Sequence, residues 1–310
     1  MASQVLRVGT RGSALALAQT DRVVRRLRSA HPGLDCRVSV VKTAGDRDQR
    51  SALAEIGGRG IFVSALERAL LRNDIDCAVH SLKDLPTEVP AKLVLAAYPE
   101  RADPHDVLVG RGRLTVEGLP KGAHVGTGSV RRRGHLLHRR PDLRVSPIRG
   151  NLGTRIGRML AGRYDALVLA RAGLVRLGCP EGVEVSVIPF DVMLPSAGQG
   201  ALVVEARRDD RKTHRLLARI DDPAVALAAS LERRVLHDLG AGCHGGVGVL
   251  ARVSAESVLL RATVVAPDGS ACIRARARGL RRAAEQLAEA VLDQLWAEGA
   301  AALIARAAEA

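Results

Sequence analysis

Aromatic residues are scarce in this chain: two Phe, two Tyr and one Trp occur among 310 residues. Proteins that hold single-stranded nucleic acid stack its bases on aromatic side chains, so this scarcity argues against nucleic acid as a partner. Long apolar runs are also lacking, whereas a membrane helix needs about 20 such residues in a row. Arg7 and Arg11 interrupt the apolar start that a signal peptide would need. We therefore expect a cytoplasmic protein with no membrane partner.

The sequence also lacks the spacings that mark disulfide frameworks, metal sites and nucleotide-binding loops. Its five cysteines are scattered and include no CxxC pair, which argues against a disulfide framework and a zinc ribbon. The nine histidines form no HExxH or similar pattern, so we predict no metal. No phosphate-binding GxxxxGKS/T loop occurs, and no GxGxxG follows a predicted strand, so nucleotide binding is unsupported.

Positive charge is the first feature that points to a partner. Lys and Arg total 47 against 33 Asp and Glu, which gives a net charge of +14, and most of the excess is arginine. Such a balance favours nucleic acid, an anionic membrane surface, or a small substrate with several carboxylates or phosphates. A basic, solvated surface is the alternative and explains part of the excess.

Predicted strands alternate with predicted helices over the first two thirds of the chain, which indicates two α/β units with mainly parallel sheets. The strands are predicted at Val5 to Val8, Arg37 to Val41, Ile75 to Val79, Leu93 to Ala97, Ala123 to Val125, Arg144 to Ile148, Ala166 to Leu169 and Ala201 to Glu205. After Pro223 the pattern changes to a helix, two strands (247–253 and 258–265) and a long Ala-rich helix from about Ala283. The last part is therefore predicted to be a smaller α+β domain.

Two glycine turns each connect a predicted strand to a helix: Gly9-Thr10-Arg11-Gly12-Ser13 and Gly126-Thr127-Gly128-Ser129. A helix N-terminus offers unsatisfied N–H groups and a favourable dipole to an anion. Either turn alone is more simply a capped helix start. Together with nearby arginines they predict two half-sites for a carboxylate ligand, because a guanidinium binds carboxylate in a bidentate way. Those arginines are Arg11, Arg131, Arg132, Arg149, Arg155 and Arg176.

Two further segments carry residues suited to chemistry. His80-Ser81-Leu82-Lys83-Asp84 follows a predicted strand, at the end where open α/β sheets bind ligands. From the spacing alone, proton transfer or cation stabilisation by the acid and a simple Lys83–Asp84 salt bridge are equally good interpretations. Cys243 lies among glycines in a loop, and a lone cysteine of this kind is more often a small buried apolar residue than a nucleophile.

Taken together, the sequence resembles the porphobilinogen deaminase (hydroxymethylbilane synthase) family over essentially its whole length. The matching segments include VGTRGSALALAQT, IGGRGIFVSALERALL, AVHSLKDLP, GTGSVRRR, RGNLGTR, YDALVLARAGLVRLG, LPSAGQGAL and LERRVLHDLGAGC, in this order. AVHSLKDLP and RGNLGTR are the most specific of them. One departure is His244-Gly245-Gly246 after Cys243, where the family usually has bulkier residues and a proline.

The resemblance implies a transferase that joins four porphobilinogen molecules into hydroxymethylbilane and releases ammonia, in tetrapyrrole and haem biosynthesis. It implies a dipyrromethane cofactor attached to Cys243 through a thioether, and Asp84 as the catalytic residue that faces the pyrrole nitrogens. Further cofactor contacts are expected from Lys83, Asp84, Ser129, Arg131 and Arg132. Substrate contacts are expected from Arg11, Ser13, Gln19, Arg149, Arg155 and Arg176.

The resemblance also implies the architecture: two periplasmic-binding-protein-like α/β domains and a smaller α+β C-terminal domain, in a monomer. Domain 1 is expected at residues 1–99 with 196–218, domain 2 at 100–195, and the cofactor-bearing domain 3 at 219–310. The segment around 45–60 resembles the family's lid. The main alternative is a non-catalytic anion-binding protein of the same fold, which would need neither Cys243 nor Asp84.

Overall fold

The computed structural model describes residues 4–41, 61–241 and 245–308, and these form two compact units. Unit 1 takes in Met1–Ala102 and Gly200–Ala226, and unit 2 takes in Asp103–Gln199 and Leu227–Ala310. The segment 45–60 and Cys243 lie outside the described residues. Within the described ranges, no helix is long and apolar enough to cross a membrane.

The described strands are, in chain order, β1 (Val5–Thr10), β2 (Asp35–Val40), β3 (Cys77–Ser81), β4 (Leu93–Ala97), β5 (Asp106–Gly110), β6 (His124–Gly126), β7 (Arg144–Ser146), β8 (Ala166–Ala170), β9 (Glu184–Val187), β10 (Leu202–Arg207), β11 (Val247–Val253), β12 (Ser257–Val265) and β13 (Cys272–Leu280). The described α-helices are α1 (Ala14–Ala30), α2 (Ile61–Leu71), α3 (Val130–Arg139), α4 (Leu152–Leu160), α5 (Arg171–Leu177), α6 (Arg211–Leu217), α7 (Pro223–Asp238), α8 (Ala284–Ala297) and α9 (Ala300–Ala308).

The two five-stranded sheets share one arrangement. Unit 1 has the order β2-β1-β3-β10-β4, and unit 2 contains a sheet of the order β7-β6-β8-β5-β9. In each sheet, three neighbouring strands are parallel and the fourth strand is antiparallel to them. The fourth strand is β10 in unit 1 and β5 in unit 2, and it pairs antiparallel with the edge strand, β4 or β9 respectively. The repeated order confirms the α/β class with two periplasmic-binding-protein-like sheet domains. The sheets are mixed, however, where mainly parallel ones were expected.

Helix caps and buried faces explain why the elements form where they do. Ser13 caps α1 by accepting a hydrogen bond at Oγ from the N–H of Ala16 (3.2 Å), and the side chain of Asn151 caps α4 in the same way. Val23 and Leu27 lie one helical turn apart on α1 and are fully buried against the first sheet. This apolar face docks α1 on the sheet and thereby positions the turn that precedes it.

The C-terminal part of unit 2 is an antiparallel sheet, β11-β12-β13, whose apolar face packs against α7, α8 and α9. Strand β13 was not predicted, because its alternating arginines obscure the apolar face formed by residues such as Ala275. The predicted single long helix is two helices, since Gly299 adopts a φ of 90° between α8 and α9. The bounds expected for three domains stay a prediction.

Candidate active site

The edge of the unit 1 sheet gathers residues from two motifs. Strands β1 and β3 are parallel neighbours, so their carboxyl ends meet at the same edge. Arg11 and Ser13 follow β1, whereas Lys83 and Asp84 follow β3 in a short 3-10 turn. The flanking Leu82 is buried, and the side chain of Asp84 is exposed. This edge therefore presents a carboxylate and two cationic residues after neighbouring strand ends, where open α/β sheets bind ligands.

Gln19 connects the first of these motifs to the second. Its side chain is buried in α1, and its amide Nε2 donates a hydrogen bond to Ser81 Oγ at 2.7 Å. Ser81 is the last residue of β3, three residues before Asp84. In this structure Gln19 thus fixes the strand end from which Asp84 extends. The substrate contact expected of Gln19 stays a prediction.

His80 of the same motif is buried behind the edge. Its Nε2 lies 3.1 Å from Glu205 Oε2 on β10, and both side chains are almost inaccessible to solvent. Glu67 on α2 is near enough to respond: burial, and then the negative charge of Glu205, raise the pKa of the Glu67 carboxyl. The sequence did not predict this buried cluster, because His80 and Glu205 are 125 residues apart along the chain.

The sheet edge of unit 2 is built in the same way. Strand β6 is flanked by β7 and β8, both parallel to it, so the segments after these three strands share one edge. Ser129 caps α3 there by accepting a hydrogen bond from the N–H of Arg132 (3.4 Å). Arg149 follows β7, Arg155 lies on α4, and Arg176 lies on α5. Arg149, Arg155 and Arg176 therefore lie in the turns and helices that follow the carboxyl ends of β7 and β8.

The side chains of Arg131 and Arg132 are buried and share one carboxylate. Arg131 Nη1 donates to Asp106 Oδ2 at 2.7 Å, and Arg132 Nη2 donates to Asp106 Oδ1 at 2.7 Å. Arg132 Nε also donates to Oδ1 at 3.0 Å, and Gln199 Nε2 donates to the same oxygen at 2.9 Å. Arg131 is only 3% exposed to solvent, and Arg132 is 7% exposed. Sequence reasoning assigned both arginines to the cofactor, and it missed Asp106 as their partner within the fold.

The electrostatics of this cluster follow from burial and charge. Burial alone would raise the pKa of Asp106, yet the positive charges of Arg131 and Arg132 outweigh it and hold that pKa well below the ordinary range. The ion pairs therefore stabilise the fold above the pKa of an unfolded aspartate, about 3.9, and this contribution is lost as the pH falls through the lower folded value. Two guanidiniums against one carboxylate leave an excess of positive charge.

A second group of arginines lies on α4 and the turn before it. Arg155 Nε donates to the carbonyl of Gly150 at 2.7 Å, and Arg158 Nη1 donates to the carbonyl of Arg149 at 2.9 Å. These bonds orient the guanidiniums without neutralising them. Burial, and then the charges of Arg132 and Arg158, lower the pKa of Arg155. This cationic cluster is suited to a ligand with several carboxylates, and Arg158 is a member that the predicted site did not include.

Other ligand chemistry finds less support in these units. Within the described ranges, no group of three or more His, Cys, Asp or Glu could hold a metal ion. Four cysteines, Cys36, Cys77, Cys179 and Cys272, are free thiols, and burial raises the pKa of Cys77. The described residues therefore offer no metal centre, and the buried Cys77 thiol is not suited to act as a nucleophile.

Comparison with known families identifies what the chain is similar to. Residues 6–215 match the family model described as porphobilinogen deaminase, dipyromethane cofactor binding domain, and residues 226–297 match the model described as porphobilinogen deaminase, C-terminal domain. The porphobilinogen deaminase of Rubrobacter xylanophilus is 47% identical over 297 residues, which cover 96% of this chain and 95% of that protein. The porphobilinogen deaminase of Roseiflexus sp. is 45% identical over 302 residues, 97% of this chain and 99% of that protein.

Solved structures share less sequence with it. The probable amino-acid ABC transporter extracellular-binding protein ytmK from Bacillus subtilis has a TM-score of 0.43 and 11% identity, over 75% of this chain and 97% of that chain. The BvgS periplasmic VFT2 domain of Bordetella pertussis has a TM-score of 0.40 and 16% identity, over 70% of this chain and 86% of that chain.

The Asp106 cluster generates a stability prediction. Asp106→Asn leaves two buried guanidiniums without their carboxylate, and it should lower the free energy of unfolding by about 3–5 kcal/mol. Urea unfolding followed by circular dichroism measures the change, and amide hydrogen exchange in β5 and α3 localises it. The matched control is Asp21→Asn, which removes an exposed ion pair with Arg25 and should cost about 1 kcal/mol or less. Equal stability of the two variants would contradict the assigned role of Asp106.

Proposed function

This chain belongs to the porphobilinogen deaminase family and is an enzyme of tetrapyrrole biosynthesis, and we propose that Asp84 is its catalytic carboxylate. The reaction joins four porphobilinogen molecules head to tail into hydroxymethylbilane and releases ammonia. The observation that carries the proposal is the exposed carboxylate of Asp84 at the carboxyl end of β3, with Lys83, Arg11 and Ser13 at the same sheet edge.

The chemistry explains why a carboxylate is needed at this edge. When ammonia leaves porphobilinogen with the electron pair of its C–N bond, the pyrrole that remains is cationic. Formation of the new C–C bond then moves positive charge to a second pyrrole, which regains neutrality by losing a proton. A fixed carboxylate beside the pyrrole N–H groups stabilises both cations and accepts or returns protons. The Gln19–Ser81 hydrogen bond supports this role, because it fixes the strand end that carries Asp84.

The arginines of unit 2 are suited to bind the carboxylate groups of the substrate. Each porphobilinogen ring has an acetate and a propionate, so a growing chain carries many carboxylates. We propose that Arg149, Arg155 and Arg176 bind them, joined by Arg158. The support is that Arg155 and Arg158 donate to backbone carbonyl oxygens, which carry no formal charge. Burial, and then the charges of Arg132 and Arg158, lower the pKa of Arg155. Arg11, Ser13 and Gln19 stay proposed substrate contacts in unit 1.

The cofactor is dipyrromethane, as the description of the matching family model indicates. When bound, it supplies the primer to which the first substrate is joined. We propose that Cys243 holds it through a thioether, and that Lys83, Asp84, Ser129, Arg131 and Arg132 contact it. Its carboxylates fit the excess of guanidinium charge in unit 2, where two arginines share the single carboxylate of Asp106. Gly240 ends α7 with a φ of 64° and begins the segment that leads to Cys243.

The remaining proposals concern organisation. We propose three domains, with the antiparallel sheet and its helices as the cofactor-bearing third one, and a monomer that works in the cytoplasm. The separate match of residues 226–297 to a C-terminal domain model supports the third domain. The scarcity of aromatic residues argues against nucleic acid as a partner.

Replacing the proposed catalytic carboxylate tests its role. Asp84→Asn removes the negative charge but keeps the size of the side chain, and it should lower kcat by about 100- to 1000-fold. Formation of hydroxymethylbilane from porphobilinogen measures kcat, and intact mass shows whether the cofactor is retained. Glu88→Gln is the matched control, since Glu88 is an exposed acid four residues along the same loop. If Asp84→Asn turned over at the rate of this control, Asp84 would not be the catalytic group.

The attachment of the cofactor has a direct readout in the mass of the protein. We expect the purified chain to exceed its sequence mass by two linked pyrrole units, and Cys243→Ser to lack that increment. Cys179→Ser serves as the control, because Cys179 is an exposed free thiol elsewhere on unit 2 and its loss should leave the increment in place. Retention of the two pyrrole units in Cys243→Ser would refute Cys243 as the attachment point.

Substrate binding by arginine is tested at Arg149. A charge-assisted hydrogen bond contributes about 1.5–3 kcal/mol, so Arg149→Leu should lower kcat/KM by about 10- to 150-fold. Arg163→Leu is the matched control, because Arg163 is exposed near the start of β8, at the opposite edge of the sheet. Steady-state rates over a range of porphobilinogen concentrations give both values. An unchanged kcat/KM in Arg149→Leu would show that this arginine does not bind substrate.

A further inference from the structure

The side chain of Glu232 is a buried acid in unit 2 that the proposed mechanism does not use. Glu232 lies on α7, the helix that precedes Cys243, and it is inaccessible to solvent. Burying a carboxylate is costly unless its oxygens accept hydrogen bonds. Its Oε2 accepts from the N–H of Gly198 at 2.7 Å, and its Oε1 accepts from the N–H of Ala251 at 2.8 Å. Both oxygens therefore bind the backbone of other segments of unit 2.

Strand β11 donates one of these bonds from its open edge. Among the described residues, the sheet order β11-β12-β13 leaves one edge of β11 without a neighbouring strand. On that edge, the N–H of Val249 donates to the carbonyl oxygen of Pro195 at 2.8 Å. The N–H of Ala251, two residues on, donates to Glu232. Glu232 thus joins α7, β11 and the segment 195–198, and it satisfies an amide that an edge strand otherwise exposes.

Two of these elements, α7 and β11, lead into and out of the segment that contains Cys243. Cys243 lies outside the described residues, but both flanks of its segment are described. The N–H of Gly245 donates to the carbonyl oxygen of Ala241 at 3.1 Å, so the two flanks meet. Gly246 then accepts a hydrogen bond from the N–H of Val265 on β12 at 2.9 Å. A Cβ on Gly246 would lie 2.0 Å from the Val265 carbonyl oxygen, so this close approach requires glycine.

The third element, the segment 195–198, leads to the buried arginines. Gly198 is followed directly by Gln199, whose Nε2 donates to Asp106 Oδ1 at 2.9 Å. The same Asp106 carboxylate accepts hydrogen bonds from Arg131 and Arg132. One continuous set of hydrogen bonds and adjacent residues therefore connects the helix before the proposed attachment point with the two arginines proposed to contact the cofactor.

We propose that Glu232 is a positioning residue for the dipyrromethane cofactor. It sets where the thioether at Cys243 lies relative to the guanidiniums of Arg131 and Arg132, which bind the carboxylates of the cofactor. This inference rests on the proposed function, in which Cys243 carries the cofactor. A misplacement of about 1 Å can slow a reaction by about 100-fold. Glu232 therefore controls turnover although it touches neither the substrate nor the reacting groups.

Glu232→Gln tests this role in the full chain. The amide keeps the size of the side chain but replaces one acceptor oxygen with an NH₂ group, which faces a backbone N–H. We expect kcat per loaded chain to fall by about 10- to 100-fold while KM changes by less than about twofold. Intact mass gives the fraction of chains that carry the two pyrrole units, and we expect this fraction to fall as well. Steady-state rates divided by that fraction give kcat.

Val291→Ala is the control for a purely structural role. Val291 is fully buried in the same apolar core, on α8, which carries no proposed cofactor contact. Both variants are assayed where urea unfolding shows them to be fully folded. The control should keep the loaded fraction and the kcat of the unaltered protein. Equal loaded fractions and equal kcat per loaded chain in the two variants would overturn the proposal.

The unaltered protein separates this inference from the proposed function. If it lacks the two pyrrole units, or carries them elsewhere than on Cys243, the proposed function fails. If it carries them on Cys243 and Glu232→Gln behaves like the control, only the role of Glu232 fails. Should Glu232→Gln not fold, Glu232→Asp is judged by the same criteria, because it keeps the charge and is shorter by one methylene.

Discussion

A single buried carboxylate, that of Asp106, organises the arginine-rich edge of the sheet in unit 2. Two guanidiniums at the start of α3 are buried there because this carboxylate, the Gln199 amide group and the carbonyl oxygens of Leu194 and Val168 accept their hydrogen bonds. The hydrogen bonds hold the first turn of α3 against β5, so the Ser129 turn keeps its place at the sheet edge. The positive charge that Asp106 does not neutralise, together with that of Arg155 and Arg158, then makes this edge attractive to a polycarboxylate.

The two units contribute different chemistry on the same scaffold. Each sheet brings the ends of its parallel strands to one edge, and each adds an antiparallel strand from a later or earlier part of the chain. Unit 1 uses this edge to expose an acid, Asp84, at a strand end fixed by Gln19. Unit 2 uses it to concentrate arginine. A reaction that passes through pyrrole cations while it lengthens a chain of carboxylates needs both features.

The local structure of the site followed from sequence at several points. Leu93–Ala97 forms a strand with the predicted bounds, and α3 begins at Val130 after the predicted Ser129 cap. Strands β5 and β9 were missed because short apolar or mixed runs do not distinguish a strand from other structure. The side-chain directions of Arg131 and Arg132 were missed for a different reason. Their partner Asp106 is 25 and 26 residues away, and no periodic pattern connects them.

The sequence by itself determined the family and the reaction, because motifs such as AVHSLKDLP and RGNLGTR occur intact. It also determined the alternation of strands and helices in the first two thirds of the chain, although strands β5 and β9 were missed. Only the tertiary structure decided which polar groups face each other: His80 with Glu205, and Asp106 with two arginines. The physical reason is that Coulomb interactions and desolvation depend on distance and burial in space. Distance and burial are set when separate segments of the chain pack together, and the spacing of residues along the chain does not determine them.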